Sequence, residues 1–202
     1  MTPVEWFNAN GFFESPTIAA HCVHVTDSDM EIMAEKGVTV AHCPSSNLKL
    51  ASGIARIPQI LNCGVNVAMG TDGSSSNNNL DILKEMYLAS VLQKGASGDP
   101  AIMPAKNMLN LATLNAAVAQ GREDCGTLEA GKKADIAALD LNSIEAVPAY
   151  DYASALLYSM TGRNVILTMC DGKILYENGE FKTIDIEKIK YKVKTMSEIY
   201  KI

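Results

Sequence analysis

The sequence predicts an α/β fold built on a parallel sheet, followed by a small β appendage. Three short, almost unbroken apolar runs occur, TIAAHC (17–22), VTVAHCP (38–44) and VNVAMGTDG (65–73). Helix-like segments separate them, and each run ends in a polar residue: His21, His42 and Asp72. Near Gly121 the pattern changes to turns and alternating strands. Continuously apolar strands joined by helical crossovers describe a parallel sheet covered on both faces. Polar residues gathered at strand C-termini are where such folds place their chemistry, the TIM barrel above all.

The elements follow in order. Thr2-Pro3 opens a helix over Val4 to Ala9, with Gly11 as its stop. After the first strand, Asp27 begins a helix from about Ser28 to Lys36, which Gly37 ends. The second strand is broken by Pro44, and a helix around Pro58 to Cys63 ends at Gly64. Beyond the third strand, Leu80 to Gln93 is a long helix with Leu80, Leu83, Tyr87 and Val91 at helical spacing. Pro104 to Gln120 reads as two shorter helices. GTLEAGKKADIAALDL (126–141) is a turn and an alternating strand, and 164–181 is two strands joined at Asp171-Gly172, a strong hairpin signal. Ile184 to Tyr200 reads as a charged amphipathic helix. Three units are expected: 1–125, an α/β part; 126–183, a β appendage; and 184–202, a terminal helix.

Composition narrows the function. A hydrophobic share of 48% is enough to build a core and too apolar for disorder. The net charge of −6, with no basic cluster, leaves nothing to neutralise a row of phosphates, so no nucleic-acid partner is expected. No window approaches the roughly 18 apolar residues of a membrane span, and MTPVEWFNANG lacks the form of a signal peptide. A cytoplasmic protein without a membrane partner is expected. Five scattered cysteines with no CxxC pair read as reduced, buried thiols. The ten methionines fit core filling.

A lone histidine at a strand end is more often a buried structural residue than a reactive one. Thr-Asp-Gly by itself is more often a turn. Here, however, all three histidines fall in two strand-end motifs, AHCVH (20–24) and AHCPSSNLKL (41–50), and a third strand ends in Asp72. Imidazole and carboxylate on consecutive rigid strands are what metal binding and water activation require. His24 lies past its strand and reads as structural. Ser74 to Asn79 reads first as a helix cap, with Ser76 as a candidate substrate contact. His42 is divided between pocket lining and core packing, and Cys22 and Cys43 read as buried packing.

AHCVH, HCPSSNLKLASGIARIPQIL, GTDGSSSNNNLDILKEMYLASVLQK and GTLEAGKKADIAALDL resemble consecutive blocks of the amidohydrolase superfamily. Within it they most resemble the 5′-methylthioadenosine/S-adenosylhomocysteine deaminases, and related chlorohydrolases share much of the pattern. The resemblance runs from Thr17 to Gly179. It implies the C-terminal part of a (β/α)8 barrel, strands six to eight with their helices, plus part of a small β-sandwich.

It also implies a zinc enzyme (iron is the other metal it allows) in which Asp72 is metal ligand and base, and His21 stabilises the reacting water or tetrahedral centre. On the residues' own reading, Ser76 and, on the lining side of its division, His42 are the candidate substrate contacts. The family's HxH pair and its fifth-strand histidine and glutamate have no match here, so the ligand set is incomplete and the chain alone is expected to be inactive. The implied substrate is a purine nucleoside thioether. The alternatives are a chlorohydrolase or other purine or triazine aminohydrolase, and a non-catalytic half-barrel. Three open strands call for a homo-oligomer or a complementing N-terminal half.

Overall fold

The computed structural model describes residues 1–200. Helix α1 (Pro3–Ala9) starts on Thr2, whose side chain accepts from the Glu5 amide while Glu5 reaches back to the Thr2 amide. The three apolar runs form β1 (Ile18–Ala20), β2 (Thr39–His42) and β3 (Asn66–Met69), parallel and in the order β1-β2-β3. In register, Ala19 faces Val40, Val40 faces Val67, and His42 faces Met69. The parallel sheet is therefore as expected, with three strands among the described residues.

Between the strands run α2 (Asp27–Glu35), α3 (Pro44–Lys49) and α4 (Ile57–Asn62). Thr26, rather than Asp27, caps α2, because its hydroxyl accepts from the Asp29 amide in a second capping box. Helix α3 was not anticipated. Pro44 looks like a breaker after a strand, but it occupies the first helical turn, where a missing N–H costs nothing.

After β3 come α5 (Ser74–Asn77), α6 (Ile82–Ser97), α7 (Ala105–Ala112) and α8 (Leu114–Ala119). Ser74 to Asn77 thus form a turn of their own, and Asp81 caps α6 by accepting from Leu83 and Lys84. The expected apolar stripe of α6 is rotated: Leu83, Met86, Ala89, Ser90 and Gln93 are buried, while Leu80 and Tyr87 are exposed. Helix α8 covers the edge of β3 by hydrogen bonds, Asn115 Nδ2 to Val67 O (3.1 Å) and Asn66 Nδ2 to Asn115 O (3.0 Å).

The core sits between the sheet and its helices. Met30, Met33, Ile57, Ile60, Met86 and Met108 are fully or almost fully buried around Val40 and Val67. Methionine does fill this core, as the composition suggested. Of the five free cysteines, Cys43 and Cys125 are buried but Cys63 and Cys170 are exposed, which corrects the reading of all five as buried.

The second sheet is antiparallel, β4 (Ile136–Leu139), β5 (Val165–Cys170), β6 (Lys173–Glu177) and β7 (Glu180–Phe181), in that order. Asp171 and Gly172 both have positive φ, the hallmark of the two-residue hairpin turn the sequence signalled. Asn178-Gly179 repeats that turn and adds β7, a strand not anticipated. Also unforeseen is α9 (Tyr152–Tyr158), inserted between β4 and β5. It lies within 126–183 yet packs Leu157 into the α/β core and brings Tyr158 Oη to 3.2 Å from Ser90 Oγ. The last helix, α10 (Ile186–Tyr200), is exposed through Ile199; residues 201 and 202 of the expected terminal segment lie outside the described residues. No helix among the described residues is long and apolar enough to cross a membrane.

Candidate active site

His21 follows the last residue of β1, and its amide donates to Ala41 O (3.0 Å), carrying the ladder one residue past the strand. Gly70 does the same after β3, donating to His42 O (2.9 Å), and the chain then turns at Asp72. Both His21 (φ 69°) and Asp72 (φ 60°) sit in the left-handed region. Few non-glycine residues adopt it, and such strain gathers at functional sites. The turns bring His21 Nε2 to 3.8 Å from Asp72 Oδ2, with the two side chains 42% and 31% exposed. The structure thus brings together the two residues on which the sequence reading placed the chemistry.

Both are held by one short helix. Ser46 Oγ donates to Asp72 Oδ2 at 2.6 Å, and Asn47 Oδ1 lies 2.9 Å from His21 Nδ1. Ser46 and Asn47 are themselves buried on α3. Beneath them Glu85, fully buried, accepts from the Ser45 amide (3.0 Å) and from Asn77 Nδ2 (2.9 Å), and Asn77 Nδ2 also reaches Thr71 O (2.7 Å). This network ties the turn after β2 to the turn after β3. Sequence reasoning missed Ser46, Asn47 and Glu85; the one signal available was Ser-Ser-Asn directly after His-Cys-Pro, polar residues where the chain should be buried.

The Ser46 hydroxyl, foremost, then Ser76 and the Gly73 amide hold the Asp72 carboxyl down to about 2, with His21 adding least. The Gly73 amide is 2.6 Å from Asp72 Oδ1. Ser76 also lies 3.1 Å from Gly73 O, so its single proton serves two acceptors, and it supports Asp72. His42, divided by the sequence between pocket lining and core packing, is fully buried and exposes no surface in this chain. Among the described residues neither of its nitrogens has a partner, and burial, reinforced by His21, pushes its pKa down to about 4. Burial raises both Cys22 and Cys43 to about 11, which makes them packing rather than nucleophiles. His24 is exposed. A cavity of about 860 Å³ opens beside Asn79, Asp81, Lys84 and Arg163, and none of its lining residues is His21, Asp72, His42 or Ser76.

An anionic, half-exposed carboxylate suits a zinc ligand, and Asp72 fits that part. Among the described residues, however, no group of three His, Cys, Asp or Glu side chains converges as a metal site. Catalytic zinc needs about three protein ligands. These residues alone do not make up a zinc site.

A parallel sheet with a His–Asp pair across its strand ends is the arrangement in which α/β enzymes place their chemistry. The amidohydrolase family model matches residues 1–175, and the chain belongs to that family. It is 51% identical over 189 residues to a 5-methylthioadenosine/S-adenosylhomocysteine deaminase of Moorella thermoacetica, covering 93% of this chain and 44% of that protein. It is 45% identical over 199 residues to the protein of the same name from Acetivibrio thermocellus, covering 98% and 46%. Among solved structures, an adenosine deaminase from Xanthomonas campestris with bound zinc matches all of this chain and 46% of its own, at TM-score 0.94 and 32% identity. A zinc-complexed atrazine chlorohydrolase from Arthrobacter aurescens matches 96% of this chain and 44% of its own, at TM-score 0.89 and 31% identity. The chain spans less than half the length of the curated relatives it matches.

Proposed function

We propose that this chain is the C-terminal part of a zinc-dependent deaminase acting on an adenine nucleoside thioether, methylthioadenosine or S-adenosylhomocysteine. The observation that carries the reading is the His21–Asp72 pair, 3.8 Å apart across the ends of β1 and β3. In this reading β1 to β3 are the sixth to eighth strands of a (β/α)8 barrel, within 1–125. The four-stranded sheet in 126–183 is part of a small β-sandwich, and the segment from 184 is a terminal helix. Ile18 on edge strand β1, 50% exposed, supports a barrel continued by further strands.

Asp72 would be one zinc ligand and would hold the proton taken from the attacking water. Bound zinc would acidify that water toward neutrality. His21 would stabilise charge as the ring nitrogen is protonated and ammonia leaves. Ser76 would line the mouth of the site. A carboxylate held near 2 is a weak base, so Asp72 by itself would not activate free water. The remaining ligands would come from elsewhere, in a complementing half or the rest of a complete barrel, and these residues alone would be inactive.

The thioether reading rests on relatives 51% and 45% identical, against 31% for the chlorohydrolase. Joining this chain to the N-terminal portion of the Moorella relative completes the barrel for assay. Ammonia release from methylthioadenosine or S-adenosylhomocysteine is expected. Turnover of guanine or a chlorotriazine, with none of either thioether, rejects the assignment. For the isolated chain, calorimetric titration with zinc should show no one-to-one site; binding at micromolar affinity or tighter would contradict the incomplete ligand set.

A further inference from the structure

Consecutive residues of α3 reach two different strand ends, since side chains one apart on a helix point about 100° from each other. Ser46 takes Asp72 and Asn47 takes His21. Asn47 is 3% exposed and meets the ring nitrogen that faces away from Asp72. The amide oxygen is the atom that faces Nδ1, and because an amide oxygen only accepts, this arrangement calls for the proton on Nδ1. We propose that Asn47 is a positioning residue that pins a proton on His21 Nδ1 and so leaves the lone pair of Nε2, the nitrogen beside Asp72, facing the reacting centre. The inference deepens the deaminase reading and rests on it for its functional meaning.

The physical case is local. A histidine at a half-exposed strand end has two neutral tautomers, and the hydrogen bond made by one nitrogen selects the state of the other. His21 has its amide fixed by Ala41 O and its backbone in the left-handed region, so the ring is carried on a rigid turn. The backbone of Asn47 is fixed in turn, its N–H donating to Cys43 O (3.0 Å) and its carbonyl accepting from the Ser52 amide (2.8 Å), while among the described residues its side-chain Nδ2 has no partner. The acceptor is buried and pre-placed, and water competes poorly for it.

Ring 1H–15N correlation spectra of the 202-residue chain, at a pH where His21 is neutral, read the tautomer directly. The Nδ1–H form should dominate in the wild type and in Asn47→Asp, which keeps an oxygen acceptor. Asn47→Leu should shift the ring toward Nε2–H. A wild-type ring in the Nε2–H form, or an Nδ1–H form that survives Asn47→Leu, overturns the proposal. If Asn47→Leu does not fold, the wild type and Asn47→Asp still decide it. No turnover is involved, so a wrong tautomer overturns the positioning role alone, and absent deamination in the completed barrel overturns the activity alone.

Discussion

Replacing Asp72 with Asn in the completed barrel is expected to lower kcat on methylthioadenosine by roughly 10²- to 10⁴-fold, the span of a positioned proton-transfer group. Asn is nearly the same size and keeps one acceptor oxygen, so the turn after β3 should survive. The negative charge is lost, and with it the charge-assisted bonds from Ser46 and Gly73. One half of the substituted amide would also present N–H groups to donors already pointing there. Thermal unfolding within a few degrees of wild type would show that the loss is chemical. Turnover within threefold of wild type would remove Asp72 from the reaction.

The same donors set the pH behaviour of this group. A folded-state pKa of about 2, below the ordinary 3.8, means that its stabilising contribution is present above pH 3.8 and is lost as pH falls toward 2. A fall in activity between pH 5 and 7 therefore belongs to another group.

His42 should make the fold sensitive to mild acid. Its pKa drops from 6.5 to about 4 on folding because the ring is buried, with His21 nearby and no hydrogen-bond partner among the described residues. The unfolded chain takes up a proton near pH 6.5, whereas the folded chain resists until about pH 4. Across that window the unfolded state binds more protons, so stability falls as pH drops, by about 3 kcal/mol in all, and levels off below pH 4. Urea unfolding at pH 7.5 and 4.5 should show most of this loss in the wild type. His42→Phe, a ring of similar size that cannot titrate, should lose that share of the pH dependence, and His42→Leu gives a second test. An unchanged difference between the two pH values in either folded variant would place the acid sensitivity elsewhere.

The strands, their parallel arrangement and the polar residues at their ends were legible because they depend on short-range pattern: apolar runs of strand length, punctuation by glycine, and helical segments between them. The Asp171-Gly172 hairpin was legible for the same reason, since its turn geometry is a property of two adjacent residues. Helix α3 was hidden by Pro44, whose local meaning depends on whether it precedes or interrupts a helix. Strand β7 has two residues and is too short to show a period of its own, and α9 packs against helices far away in the chain. The stripe of α6 was read from spacing, but which face is buried depended on what packs against it.

By itself the sequence determined the parallel sheet and the polar residues at its strand ends, because both are written in local periodicity, and the family resemblance singled out His21 and Asp72 among them. Only the tertiary structure decided that Asp72 and His21 meet, that Ser46 and Asn47 hold them, and that His42 is sealed in the core. Those outcomes depend on strand register and on left-handed turns after β1 and β3, which bring residues 26 positions apart into hydrogen-bond contact. Such contacts arise from chain reversal in three dimensions, and no window of neighbouring residues encodes them.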